Sequence, residues 1–120
     1  MKILLWQAAI LPGQQSEFEA YANTRVLQFF KQQRGCLGVS FLQHGHQLQF
    51  VSYWHNNEAA QQMLDSAAYQ QLQALLRRQY FVAANPIEYG EIQGGFFTEQ
   101  ALSQLASTHA YATQQELSSC

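Results

Sequence analysis

Histidine, tyrosine and cysteine carry most of the reactive chemistry in this sequence, and they are thinly spread. His44 and His46 flank Gly45. At that spacing two imidazoles share one side of an extended strand and could begin a metal site, but no third ligand stands near them. A polar hairpin tip explains the pair equally well, and no metal is expected. His55 follows Tyr53 and Trp54. Imidazole titrates near neutral pH, so His55 is a candidate general base. The alternative is a solvent-facing residue at the end of a strand. Tyr53, Tyr69 and Tyr89 are candidate phenol donors, or packing residues with their hydroxyls at the surface. Cys36 and Cys120 provide neither a disulfide framework nor a zinc spacing. The sequence holds no glycine-rich phosphate loop, no haem or flavin motif and no nucleophile–base signature.

These residues must be positioned by one domain, because two domains from 120 residues would each be too small to bury a useful core. Hydrophobic residues make up 48% and charged residues only 12%, so uncharged polar groups must cover the surface. Paired glutamines such as Gln14-Gln15, Gln32-Gln33, Gln61-Gln62 and Gln70-Gln71 fill that role. A net charge of −2 provides no footprint for nucleic acid or an anionic membrane, and neither partner is expected. No apolar stretch approaches the length of a membrane span. The apolar run after Lys2 is interrupted by Gln7 and lacks a small-x-small cleavage site, so it does not read as a secretory signal. A cytoplasmic protein is expected.

Ile3 to Leu11 is nearly continuously apolar and closed by Pro12-Gly13, which predicts a strand buried on both faces. Ser16-Glu17-Phe18-Glu19 has the form of a capping box. Phe18, Tyr21, Ala22, Val26, Phe29 and Phe30 then recur at helical spacing up to Gly35. Cys36 to Gln43 and Gln47 to Trp54 read as a hairpin around His44-Gly45-His46. Asn56 or Asn57 caps a helix carrying Met63 and Leu64, and Asp65-Ser66 marks a break and a second cap. Tyr69, Leu72, Leu75 and Leu76 continue the helical face, with Arg77 and Arg78 where the helix dipole favours cations. Asn85-Pro86 is expected to end the helical region, and Ile87 to Gln93 to form the fourth strand. Beyond Thr98 the chain carries little hydrophobic mass. A short helix over Glu99 to Ala106 and then a frayed polar end are expected.

The order β-α-β-β-α-β is the ferredoxin-like arrangement of an α+β domain. Its helices can cover only one face of an antiparallel sheet. No charged residue falls between Cys36 and His55, so the other face is apolar as well. Monomers rarely expose an apolar patch of that size. Packing the same face of a second copy against it, about a two-fold axis, is the economical solution.

Four short stretches carry a family resemblance: Arg34-Gly35-Cys36-Leu37-Gly38, the strand end Tyr53-Trp54-His55, Asn57-Glu58-Ala59, and Ser66-Ala67-Ala68-Tyr69. Together they resemble the antibiotic-biosynthesis-monooxygenase superfamily of dimeric α/β barrels. The resemblance covers residues 1 to 97 and sets 98 to 120 apart as a tail. That superfamily includes cofactor-free oxygenases of quinols and polyphenols, haem-degrading enzymes, small-metabolite isomerases and members without a known reaction. Trp54 matches the tryptophan that ends the third strand and often borders the ligand cavity; the alternative is a packing aromatic. Gln7 stands near an asparagine of the haem-degrading members. Their helical iron ligand would fall near Leu72, which cannot bind iron. The resemblance therefore implies a cofactor-independent monooxygenase acting on a small aromatic quinol or polyphenol. His55 and Tyr69 are its candidate catalytic residues, and Gln7, Tyr53, Trp54, Met63 and Leu72 its candidate substrate contacts. The rival is a dimer of the same fold that binds a small apolar molecule without changing it.

Overall fold

The sheet is built around β1 (Lys2–Ile10). Leu4, Trp6, Ala8 and Ile10 are buried beneath the helices, while Ile3, Leu5 and Ala9 are half-buried and Gln7 is exposed on the other face. Side chains alternate across a strand, so one side of β1 enters the core and the other is left partly open. The structure is a computed structural model; it describes residues 1–108, with side chains to residue 105.

After β1 the chain turns at Pro12-Gly13, where Gly13 takes φ +82° and Gln14 N–H donates to Leu11 O at 3.0 Å. A continuous helical stretch follows: α1 (Gln15–Tyr21), a π-helical turn (Ala22–Val26) and α2 (Leu27–Lys31). Next come β2 (Cys36–His44), β3 (Gln47–Trp54), α3 (Asn57–Asp65), α4 (Ala67–Gln79), β4 (Phe81–Ala84), β5 (Glu88–Glu91) and α5 (Glu99–Thr108). The sheet runs β2-β3-β1-β4, every pair antiparallel, with β5 also pairing β1. This is the ferredoxin-like order with its last strand in two pieces. β4 pairs Ala8 to Ile10 and β5 pairs Lys2 to Leu5, leaving Asn85-Pro86-Ile87 as a break along one edge.

Local chemistry explains most of the boundaries. Gly45 has φ +61° at the first position of the two-residue β2–β3 connection, where a type II′ turn demands glycine. Gly35 has φ +82°, and a Cβ there would lie 2.5 Å from Cβ of Ala59, so only glycine lets α3 approach. Asn56 caps α3 by accepting from Ala59 N–H at 2.9 Å. Ser66 ends α3 and starts α4: its hydroxyl donates to Met63 O and accepts from Tyr69 N–H.

The core lies between the sheet and the helices. Phe18, Val26 and Phe30 of the first helical stretch meet Trp6, Phe50 and Trp54 of the sheet, with Met63, Leu64, Tyr69 and Leu76 closing the far side. Burying each large apolar side chain contributes about 1.5–3 kcal/mol. Phe18 and Trp6 both pack against Phe81, with ring centroids 5.3 and 5.1 Å away.

Three expectations need correction. Ser16 is not a cap: the helix begins at Gln15, and Gln14 occupies the N-cap position without a side-chain bond. The Pro12-Gly13 turn already delivers the chain in helical direction, so helix starts two residues earlier. The helical region does not reach Asn85: α4 ends at Gln79, and Phe81–Ala84 is a strand because Phe81 reaches the core between Trp6 and Phe18. The fourth strand expected over Ile87 to Gln93 shortens to Glu88–Glu91. The expected short helix beyond Thr98 is present as α5, which Thr98 caps through Ala101 N–H at 3.1 Å. The polar end from 109 lies outside the described residues.

Candidate active site

α3 packs against β3 and α4 against β4, and together with β1 and the first helical stretch they enclose a small interior cavity. Its walls are mostly core side chains, including Trp6, Phe30, Phe50, Met63 and Leu72. Three polar side chains interrupt them: Ser52, Tyr69 and Gln73. Ser52 is buried and occupied, because Trp54 Nε1 donates to its Oγ at 2.7 Å. Tyr69 Oη accepts from Gln73 Nε2 at 2.9 Å, which leaves the phenol proton free to donate elsewhere. Gln73 Oε1 is buried and has no partner among the described residues. The two residues stand four apart on α4, one helical turn, so they offer a donor and an acceptor side by side. Reversing the Gln73 amide would exchange those roles and still leave one of each.

Burial pushes the Tyr69 phenol up to about 12, against the opposing effects of the Gln73 hydrogen bond and the Arg77 charge. Tyr69 is therefore a proton donor at neutral pH and not a base. Burial also pushes the Cys36 thiol up, with its bond to Gly38 O opposing. A thiol so placed is a weak nucleophile.

The interior cavity holds about 30 Å³. That is room for water and well short of the roughly 150 Å³ that accepts a benzene ring. Outside it lies an open cleft of about 640 Å³ between α4 and the β4–β5 break. Trp6, Tyr69, Gln73 and Ile87 line both spaces and form the wall they share. Any ring larger than a few atoms must sit in the outer cleft or displace that wall.

The candidate residues fall into two groups. Tyr69, Met63 and Leu72 line the interior cavity. Trp54 is fully buried beside them, with its ring 6.3 Å from that of Phe30 and its N–H spent on Ser52. Gln7, Tyr53 and His55 lie elsewhere. Gln7 is exposed on the open face, where its carbonyl accepts from Asn85 N–H at 2.9 Å and pins the strand break. Tyr53 is half-buried on that face, its Oη 3.3 Å from Ser40 Oγ. His55 is exposed at the end of β3, its N–H donating to Gly35 O at 2.9 Å, and it borders neither space. His46 Nδ1 lies 2.7 Å from Gln15 Nε2, and among the described residues no group of three potential ligands is arranged to hold a metal. No described helix is long and apolar enough to cross a membrane.

The family model for antibiotic biosynthesis monooxygenases matches residues 1–75, more than half of the chain. The chain belongs to that family. Solved structures agree on the fold. SnoaB from Streptomyces nogalater, a cofactor-independent oxygenase crystallised as a point mutant, superposes with a TM-score of 0.68 at 14% identity, over 81% of this chain and 97% of SnoaB. A putative antibiotic biosynthesis monooxygenase from Chloroflexus aurantiacus gives 0.62 at 18% identity, over 80% and 96%. A putative member from Deinococcus radiodurans gives 0.60 at 14%, over 82% and 97%. No curated protein sequence matches the chain.

The monooxygenase-family match ends within α4, before Arg77 and the strand break that bound the outer cleft. Trp6, Gln73 and Arg77 were not among the residues singled out for a site from the sequence. Gln73 had a usable signal, since it follows Tyr69 by one helical turn. Trp6 had none beyond its place in an apolar strand.

Proposed function

We propose that the protein is a cofactor-independent, monooxygenase-like enzyme that oxidises a small aromatic quinol or polyphenol and works as a homodimer. The observation that carries this is the Tyr69–Gln73 pair, one donor and one unpaired acceptor set into otherwise apolar and aromatic walls. A phenolic ring offers the complementary acceptor and donor on its oxygens. Family membership and the oxygenase chemistry of SnoaB support the same function.

Such a reaction needs no cofactor, because the substrate supplies the electrons. Ground-state dioxygen is a triplet and reacts slowly with closed-shell molecules, but an electron-rich aromatic anion can pass it one electron. The resulting radical and superoxide join at a ring carbon and form a C–O bond. That carbon then loses its proton as the O–O bond breaks, leaving a ring carbonyl and releasing the second oxygen as water. Tyr69 donates to the substrate oxygen on which negative charge is held, and Trp6 and Ile87 of the shared wall cover one side of the ring.

Dimerisation is proposed through the open face of the sheet. Ile3, Leu5, Ala9 and Val51 are only half-buried there, and Leu42 is 55% exposed. Isologous packing against a second copy would cover all five. Light scattering on a sizing column should give about twice 13.7 kDa. A monomeric mass would remove the dimer.

The activity is tested by oxygen uptake with a panel of quinols, read against uncatalysed autoxidation, and by product mass. Turnover should add one oxygen and remove two hydrogens. Tyr69→Phe should slow it on the order of a hundredfold, the usual effect of losing one positioned donor. His55→Ala separates two origins for the proton step. A loss on the order of a hundredfold assigns the base to His55, and an unaltered rate leaves deprotonation to the substrate itself. One feature favours the rival of binding without chemistry: among the described residues no carboxylate or imidazole lines the interior cavity or the outer cleft. Uptake no faster than autoxidation, with a quinol retained in native mass spectrometry, would decide for that rival.

A further inference from the structure

The outer cleft is chemically uneven. Three aromatic rings line it, Trp6, Tyr69 and Tyr89, together with the side-chain amides of Gln61, Gln70, Gln73 and Asn85. The remaining described walls are apolar except for one charged group, Arg77. Among the described residues no acidic side chain lines the cleft and Arg77 makes no ion pair. We propose that this cleft binds its aromatic ligand as an anion, and that Arg77 is the residue that selects for the charge. The proposal rests on the reading of the protein as a receptor for small aromatics and adds the ionisation state it prefers.

A cation beside polarisable rings, with no carboxylate to compete, favours a ligand that brings its own negative oxygen. A guanidinium meets a phenolate or carboxylate through charge-assisted hydrogen bonds, stronger than those between neutral groups. The cation also supplies what the walls lack. Among the described residues neither space has a histidine or carboxylate to remove a phenolic proton. A positive charge stabilises the ionised ligand instead and lowers the pKa of the bound phenol. The field of Arg77 already reaches this wall, since its charge opposes the upward shift of Tyr69. Arg78 is the internal control: it occupies the same last turn of α4, gains the same favourable interaction with the helix dipole, and does not line the cleft. If Arg77 served only the helix end, the two arginines would be interchangeable.

The cleft volume of about 640 Å³ suits one bicyclic or tricyclic molecule. The break at Asn85-Pro86-Ile87 forms part of its rim, at the edge of the sheet.

Binding can be measured without turnover by using an oxidised probe. 2-Hydroxy-1,4-naphthoquinone is an anion at neutral pH, and its O-methyl ether is a neutral molecule of nearly the same shape. Calorimetric titration, or quenching of tryptophan emission with Trp6 in the cleft wall, should show the full-length protein holding the anion on the order of tenfold more tightly than the ether. Arg77→Gln should abolish that preference while Arg78→Gln keeps it, and Arg77→Lys should restore part of it. Melting curves of the three variants should coincide, because both arginines are exposed. Equal binding of anion and ether by the unaltered protein, or a preference that survives Arg77→Gln, would overturn the proposal and leave the aromatic receptor standing. Failure to bind either probe would remove the receptor reading as well.

Discussion

The two faces of the sheet come from the same strands and differ in how they are finished. Under the helices, Leu4, Trp6, Leu48, Phe50 and Trp54 are almost entirely removed from solvent, and Ser52 is satisfied by the indole of Trp54. On the opposite face Ile3, Leu5 and Val51 share the surface with Gln7, Gln49, Ser40 and Tyr53, and none is fully covered. One face is a completed core that the chain closes alone. The other is apolar enough to need a cover and polar enough to tolerate water without one. Folding and the proposed association would then fall on opposite sides of one sheet, and substitutions should affect them separately.

The largest expected effect is on the completed side. Trp54→Ala should lower the unfolding free energy by about 3–5 kcal/mol, from lost burial plus the cavity left behind. Its denaturant midpoint should fall accordingly. A loss below about 1 kcal/mol would mean that the indole is not the keystone its burial implies. Next comes the open face. Leu5→Gln should leave the fold of each chain intact but weaken the dimer by about 2 kcal/mol, roughly thirtyfold in Kd. Sedimentation across a dilution series reads this directly, and an unshifted dimer curve would place the interface elsewhere. A smaller effect concerns the shared wall. The folded-state pKa of Tyr69 is raised, so the unfolded chain ionises first as pH rises. Its contribution to stability is complete below pH 10 and is lost as pH climbs through about 12. Tyr69→Phe should flatten that part of the stability profile, and an unchanged slope would assign it to another group. The smallest effect should come from ending the chain at Thr98. Leu102 and Leu105 are exposed, so the shortened chain should lose only the helical signal of α5 itself and keep its stability within about 0.5 kcal/mol. An unfolded product would make the tail part of the domain.

Much of the fold was legible because its punctuation is chemical. Pro12-Gly13, Gly35 and Gly45 stand where the backbone needs them, and Asn56 and Ser66 cap helices with the bonds their side chains are suited to make. The end of α4 was not legible. Gln79-Tyr80 carries no glycine or proline, and Phe81 leaves the helix only because Trp6 and Phe18 wait for its ring. Ser16 misled for the opposite reason: a good local cap was overridden by a turn that had already aligned the chain. The π-helical turn at Ala22–Val26 left no mark in the spacing of apolar residues. The site was legible in part. Tyr69, Met63 and Leu72 could be placed on inward helical faces, but Gln73 was hidden among the many glutamines that cover the surface. Arg77 was read only through the helix dipole, because what stands across from it depends on the strand break.

That break has a consequence for how the protein lives among its own copies. A complete edge strand offers an unbroken row of amide donors and acceptors on which another extended chain can build. Here the row is interrupted halfway along. Pro86 has no N–H to offer, and Asn85 turns its own inward to Gln7. Two short rungs on either side of a gap are a poor template for a neighbouring strand. The feature that opens the cleft also blocks growth of the sheet at this edge, and leaves the unbroken β2 as the edge on which another strand could build.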